Sequence, residues 1–371
     1  MLNKIAIVYD WIDKWGGVER ILLTLNEMFP EADFYTSYYD EKGAAWAKKI
    51  KIRTSFLQQF PRLINKNRIA SFVFYPFAFE SFNFNNYDLI ISVTSSFAKG
   101  IITKPGTRHI CYLLTPTRYL WSQPEVYFQN KLTQRLISPY INYIKKWDFL
   151  AAQRPDKIIS ISKTVAERCK KYYQRESEVI YPPFDFEYWN NIKLKVKNEK
   201  LKIQVKNKKF YLVVSRLELY KRVDLVIRSF NRLDKNLVIV GEGRQERRLR
   251  KMAGNNVQFY SKLTDEELGY LYQHAQALIM PQEEDFGYVS LEAQFFGCPV
   301  IAYKKGGATE TVIDGKSGIL IERQDQQHIK LALERLGKIS YNISYQAEKL
   351  QQDNFKKFDK KIFWESFKKI I

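Results

Sequence analysis

Two carboxylates, Glu284 and Glu292, stand eight residues apart in the string Glu284-Asp285-Phe286-Gly287-Tyr288-Val289-Ser290-Leu291-Glu292. An apolar run, Ala277–Met280, precedes them and reads as a strand. Gly287 permits a tight turn into a helix, which puts Glu284 in a loop and Glu292 two turns along that helix. A loop carboxylate there can accept hydrogen bonds from sugar hydroxyls and a helix carboxylate from a ribose diol, while the first helical amides can hold phosphate. The same residues also suit a plainer purpose. Glu284 and Asp285 could cap the helix, and Glu292 could be a solvated helical position.

Other strings carry chemistry of the same kind. Ser215-Arg216-Leu217-Glu218-Leu219-Tyr220-Lys221 follows the apolar run Tyr211–Val214 and sets two cations five residues apart. Read alone, they are either an anion site or a surface charge cluster. Gly16 and Gly17 follow the first apolar run, and glycine there lets backbone approach a phosphate or an acceptor closely. Gly241-Glu242-Gly243 follows a strand but is not a dinucleotide fingerprint, because position 246 is Glu where G-x-G-x-x-G needs Gly. Cys111, Cys169 and Cys298 are widely spaced and form no C-x-x-C, so neither a disulfide framework nor a zinc site is expected.

These residues must be positioned by strands that alternate with helices. Runs at Ile5–Tyr9, Leu89–Val93, Ile110–Leu114 and Ile158–Ile161, then at Tyr211–Val214, Leu237–Val240, Val257–Tyr260, Ala277–Met280 and Pro299–Tyr303, each lead into a helical pattern. Such alternation predicts parallel βα units. The chain has 371 residues, and at roughly 100–200 residues per domain this favours two domains. We therefore expect an α/β protein of two doubly wound domains with ligand in a cleft beyond the strand ends. The expected boundaries are a first domain over 1–183, a Lys/Asn-rich linker over 184–209, a second domain over 210–352, and a last helix over 353–371.

The strings E-x-F-G-x4-E at Glu284–Glu292 and R-x4-K at Arg216–Lys221 resemble the family 4 glycosyltransferases, retaining enzymes of the GT-B fold. So do G-G-x-E-R at Gly16–Arg20, the Gly241-Glu242-Gly243 turn, Gly306-Gly307-Ala308-Thr309-Glu310, and the turn at Asp314–Gly318. That resemblance implies transfer of a hexose, mannose included, from a GDP-sugar or UDP-sugar to a glycan or polyprenyl-linked saccharide, with no metal or other cofactor. It implies catalytic roles for Arg216 and Lys221, which would bind the diphosphate and neutralise charge on the leaving group, and for Glu284, which would meet the donor sugar. The implied donor-binding set adds Gly16, Gly17, Ser215, Lys262, Leu263, Asp285, Phe286, Gly287, Tyr288 and Glu292. The last helix of relatives crosses back to the first domain.

One string departs from the pattern. Cys111-Tyr112-Leu113-Leu114-Thr115-Pro116-Thr117-Arg118-Tyr119-Leu120-Trp121 resembles a segment of a mannosyltransferase-like branch, but Leu114 occupies the position of a histidine used near the reacting centre. Leucine neither donates nor accepts a hydrogen bond. Three explanations stand open. A neighbour such as Thr115, Arg118 or His109 substitutes, the donor lacks the hydroxyl that histidine would contact, or the chain is a weakened GT-B protein that binds nucleotide sugar or glycan. Thr115 and Arg118 are the acceptor-side candidates.

The net charge of +20 attracts anions, and it is spread over both halves. No nucleic-acid-binding module is recognisable, so nucleic acid is the weaker partner class. Aromatic and basic residues over 62–79, and the amphipathic run Phe355–Ile371, either press on an anionic bilayer or pack within the fold. With no signal peptide and no apolar stretch of spanning length, the expected location is the cytoplasm, including the inner face of the cell membrane.

Overall fold

The computed structural model describes residues 4–65, 71–127, 131–198, 205, 209–338 and 355–371. The chain divides into two compact units, Met1–Pro182 with Ser366–Ile371, and Pro183–Glu365.

In the first unit seven strands form one sheet: β1 (Ile5–Tyr9), β2 (Asp33–Thr36), β3 (Ile52–Thr54), β4 (Leu89–Thr94), β5 (Arg108–Leu113), β6 (Lys157–Ser160) and β7 (Glu178–Val179). Their order is β3-β2-β1-β4-β5-β6-β7, and every pair is parallel. β4 is buried along its whole length, so it reads as a continuous apolar run with no alternation. The winding reverses between β1 and β4, and the loops leaving these strands therefore diverge. Asp10, directly after β1, ties them together: its carboxylate accepts from Thr94 Oγ1 and the Ser95 amide at 2.8 Å, and from the Phe97 and Ala98 amides at 2.9 and 2.8 Å. Burial raises its pKa against the pull of these donors.

The second unit repeats the plan with β8 (Phe210–Val214), β9 (Asn236–Val240), β10 (Val257–Tyr260), β11 (Leu278–Met280), β12 (Val300–Tyr303) and β13 (Gly318–Ile321). The order is β10-β9-β8-β11-β12-β13, again all parallel, with the reversal between β8 and β11. Val213, Ile239, Ile279, Ile301 and Ile319 contribute one core side chain from each of five neighbouring strands. Both units are thus doubly wound, as the sequence pattern implies.

Four strands escape the sequence pattern. β2 opens on Asp33, a charge that breaks the apolar run yet is buried through Lys51 Nζ at 2.6 Å and the Tyr87 hydroxyl. β3 and β7 have three and two residues, and β13 opens on Gly318, which reads as a turn.

The stretch expected to be linker is helical over Phe186–Asn198. Its many Lys and Asn residues conceal an apolar stripe at Trp189, Ile192 and Val196, all buried. Trp189 packs edge-on against Phe296 at 5.9 Å between ring centroids. Of the remaining expected linker, 199–204 and 206–208 lie outside the described residues.

The two aromatic segments pack within the fold over most of their described length. Tyr75 and Phe79 are buried, and so are Phe358, Phe363 and Phe367, whereas Val73 and Phe77 are exposed. Lys66 and Arg68 of the basic patch lie outside the described residues. Among the described residues no helix is long and apolar enough to cross a membrane.

Candidate functional site

The sheet reversal of the second unit brings two of the sequence-predicted residues into contact. The loop leaving β8 ends in a single turn, Leu219–Lys221, and the loop leaving β11 runs from Pro281 to Gly287. Across that reversal Lys221 Nζ donates to Glu284 Oε1. Both side chains are largely withdrawn from solvent, at 11% and 16% exposure, so the pair is a desolvated one that persists only with good geometry. Gln282, buried beside them, donates from Nε2 to the same carboxylate oxygen at 2.6 Å. The sequence reading missed Gln282, since a lone amide after a strand gives no signal of its own.

Glycines fix both loops by close approach. At Gly306, φ is +75°, and a Cβ there would lie 2.2 Å from the Glu284 carbonyl oxygen. Position 306 makes an isolated bridge to Glu284, and the Gly307 amide donates to the Glu284 carbonyl at 2.8 Å. At Gly241, φ is +145°, and a Cβ would lie 1.9 Å from the Ser215 carbonyl oxygen. The Gly241–Gly243 turn is pinned there by Leu217 N to Glu242 O at 2.8 Å and Ser215 N to Val240 O at 3.0 Å. These glycines therefore act on the two loops through close backbone approach.

Arg216 is exposed, and its Nη2 donates to the Tyr220 hydroxyl at 2.7 Å. Lys221 Nζ sits 5.4 Å from the centre of the same Tyr220 ring, which thus contacts both expected clamp cations. Ser215 is half-buried, and its Oγ donates to the Arg216 carbonyl at 3.1 Å.

Gly287, with φ +94°, is the N-cap of the helix Tyr288–Phe295, so neither Glu284 nor Asp285 occupies that position. Phe286 is buried, and its ring meets Tyr288 edge-on at 5.1 Å. Tyr288 donates its hydroxyl to the Pro183 carbonyl at 3.1 Å. Glu292 is 4% exposed, which removes the reading of a solvated helical position. Its Oε2 accepts from the buried Tyr272 hydroxyl at 2.9 Å, a partner from the helix Asp265–His274 that the sequence reading did not find. After β10, Lys262 is exposed with φ +55° and Leu263 is half-buried. Asp285 is half-buried.

Gly16, Gly17, Thr115 and Arg118 belong to the first unit. Gly16 caps and Gly17 opens the helix Gly17–Met28, whose Glu19 is buried. The segment after β5 is anchored from beneath by Asp148. One of its oxygens accepts from Lys99 Nζ at 2.6 Å and Thr117 Oγ1 at 2.8 Å, the other from Trp121 Nε1 at 2.7 Å and the Tyr173 hydroxyl at 2.8 Å. Thr115 is buried and accepts from Arg168 Nη1 at 3.4 Å, and Arg118 opens a short helix, Arg118–Trp121. Leu114 is buried.

His109 cannot stand in for the missing histidine. It lies within β5, is 1% exposed, and pairs through Nε2 with Ser92 Oγ at 2.8 Å. Burial pushes its pKa down to about 3, so the ring is neutral. Among the described residues no three His, Cys, Asp or Glu side chains gather as a metal site. All three cysteines are free and buried.

Comparison with known proteins places these loops in a family context. Residues 196–352 match the family described as glycosyl transferases group 1. An uncharacterized glycosyltransferase of Methanocaldococcus jannaschii is 26% identical over 220 residues, covering 58% of each chain. The GDP-mannose-dependent alpha-(1-6)-phosphatidylinositol monomannoside mannosyltransferase of Mycolicibacterium smegmatis is 35% identical over 138 residues, or 32% of this chain and 36% of that protein. The chain thus spans less than two thirds of the length of these curated relatives. Among solved structures, Anabaena HepE in complex with UDP superposes with a TM-score of 0.69 at 19% identity, covering 99% of each chain, which is a likeness of fold.

Proposed function

We propose that this chain, whose residues 196–352 match the family described as glycosyl transferases group 1 and whose two doubly wound units fit the GT-B fold, moves a hexose from a nucleoside-diphosphate sugar to a glycan or lipid-linked saccharide. The observation that carries the reading is the meeting of Lys221 and Glu284 at the sheet reversal, where doubly wound domains take their ligands. A cation suited to a diphosphate and a carboxylate suited to sugar hydroxyls there lie side by side, as a glycosyl diphosphate requires.

In this reading Lys221 and Arg216 neutralise the charge that grows on the diphosphate as the bond to the sugar C1 breaks. Glu284 and the neighbouring Asp285, Phe286, Gly287 and Tyr288 receive the sugar, and Glu292, oriented by Tyr272, takes the ribose. Ser215, Lys262 and Leu263 complete the nucleotide site in the second unit. Thr115 and Arg118 serve the acceptor. The relative acting on GDP-mannose supports mannose and guanine, and the HepE complex with UDP supports uracil, so both bases belong in any assay.

Transfer proceeds with retention and without a metal. Neither position 114, where the family resemblance expects histidine and this chain has leucine, nor His109, sealed in the sheet, supplies a base. The acceptor hydroxyl bonds to C1 on the face the diphosphate leaves, and its proton passes to the departing phosphate oxygen. Lys221→Ala should lower the turnover of nucleotide sugar by about 10²–10³-fold, the usual effect of deleting one preorganised charge from such a site. Near-normal turnover in that variant, measured as nucleoside diphosphate released, would refute the assignment.

A further inference from the structure

The cation expected to hold a phosphate is already occupied. Lys221 Nζ rests on Glu284 Oε1, and both groups are mostly withdrawn from solvent, so each offsets the other's charge. A diphosphate approaching Lys221 must compete with this carboxylate for the ammonium group. Glu284 need not move far, because Gln282 Nε2 also holds Oε1 at 2.6 Å and the backbone at 284 is pinned by the Gly307 amide. When the diphosphate takes the ammonium group, an anionic carboxylate is left beside an anionic diphosphate, in a setting that screens charge poorly. A donor that carries a sugar supplies hydroxyls to that carboxylate and relieves the cost. A bare nucleoside diphosphate supplies none.

We propose that the Lys221–Glu284 pair discriminates the sugar-bearing donor from the nucleoside diphosphate product, weakening retention of the product by competition for Lys221. This rests on the reading of the second unit as the donor site. Glu284 thereby acquires a task besides meeting the sugar: it sets the ratio of donor to product affinity. Gln282 is a positioning residue in that exchange, keeping the carboxylate in place whichever partner Lys221 has.

Calorimetric titration of UDP, GDP, UDP-glucose and GDP-mannose into the full chain tests it. Glu284→Gln, which keeps shape and removes charge, should bind the nucleoside diphosphate about tenfold more tightly than the wild type, with a smaller gain or a loss for the matching nucleotide sugar. Glu284→Ala should show the same gain for the diphosphate, and in a Lys221→Ala background the gain should vanish. Thermal melting of each variant confirms the fold. If the wild type binds a nucleoside diphosphate and Glu284→Gln binds it no more tightly, the discrimination is overturned while the donor site stands. An equal gain for diphosphate and nucleotide sugar also overturns it. If the wild type binds none of the four, the donor site itself fails and takes the discrimination with it.

Discussion

A neutral histidine inside a parallel sheet carries a pH dependence of known sign. His109 has its pKa pushed down to about 3 by burial, against 6.5 for the free side chain. Between those values the unfolded chain binds a proton that the folded chain does not, so stability falls as pH drops below 6.5. By pH 5 the loss amounts to about 2 kcal/mol. In urea unfolding, the stability difference between the wild type and His109→Gln should therefore shift by about this amount from pH 7 to pH 5, in the variant's favour. An unchanged difference would contradict the burial argument. The same pairing with Ser92 removes His109 from the residues considered as substitutes for a histidine at position 114.

At the level of loops and strands, the second unit works by backbone approach. Gly306→Ala places a Cβ within 2.2 Å of the Glu284 carbonyl at a left-handed φ, so the loop bearing Glu284 must shift. We expect this substitution to lower nucleotide-sugar turnover by at least about tenfold while the far-ultraviolet circular dichroism is retained, because displacements near 1 Å carry such losses. Turnover equal to wild type would show that Glu284 does not depend on this support. Much of this arrangement was legible in advance. The strands flanking both reversals lie in predominantly apolar runs, and Glu284, Glu292, Arg216 and Lys221 follow them at recognisable spacings. What was not legible is pairwise. No local pattern reveals that Tyr272 would hold Glu292, that Gln282 would hold Glu284, or that Asp148 would gather Lys99, Thr117, Trp121 and Tyr173. The helix Phe186–Asn198 was hidden for another reason: only three of its faces' residues, Trp189, Ile192 and Val196, are needed to bury it, and Lys and Asn fill the rest.

For the whole molecule the dominant fact is a charge of +20. It suits a phosphorylated donor, and in the first unit it coincides with exposed apolar groups. On the helix Lys131–Ala151, Tyr143 and Leu150 are exposed at 52% and 61%. Lys145, Lys146 and Phe149 join Trp121 and Leu150 around a surface hollow of about 650 Å³. We expect this surface to bind anionic vesicles: the protein should sediment with phosphatidylserine-containing liposomes at low salt and be released by high salt. Sedimentation that is absent, or insensitive to salt, removes the idea.

The central claim is that the chain consumes a nucleotide sugar, and release of nucleoside diphosphate by the wild-type protein tests it most directly. Incubated with GDP-mannose and with UDP-glucose, the protein should release GDP or UDP from at least one donor, and Lys221→Ala should release it about 10²–10³-fold more slowly. Binding of these donors with no release from either, in the presence of glycan and polyprenyl-linked saccharide acceptors, would contradict the account.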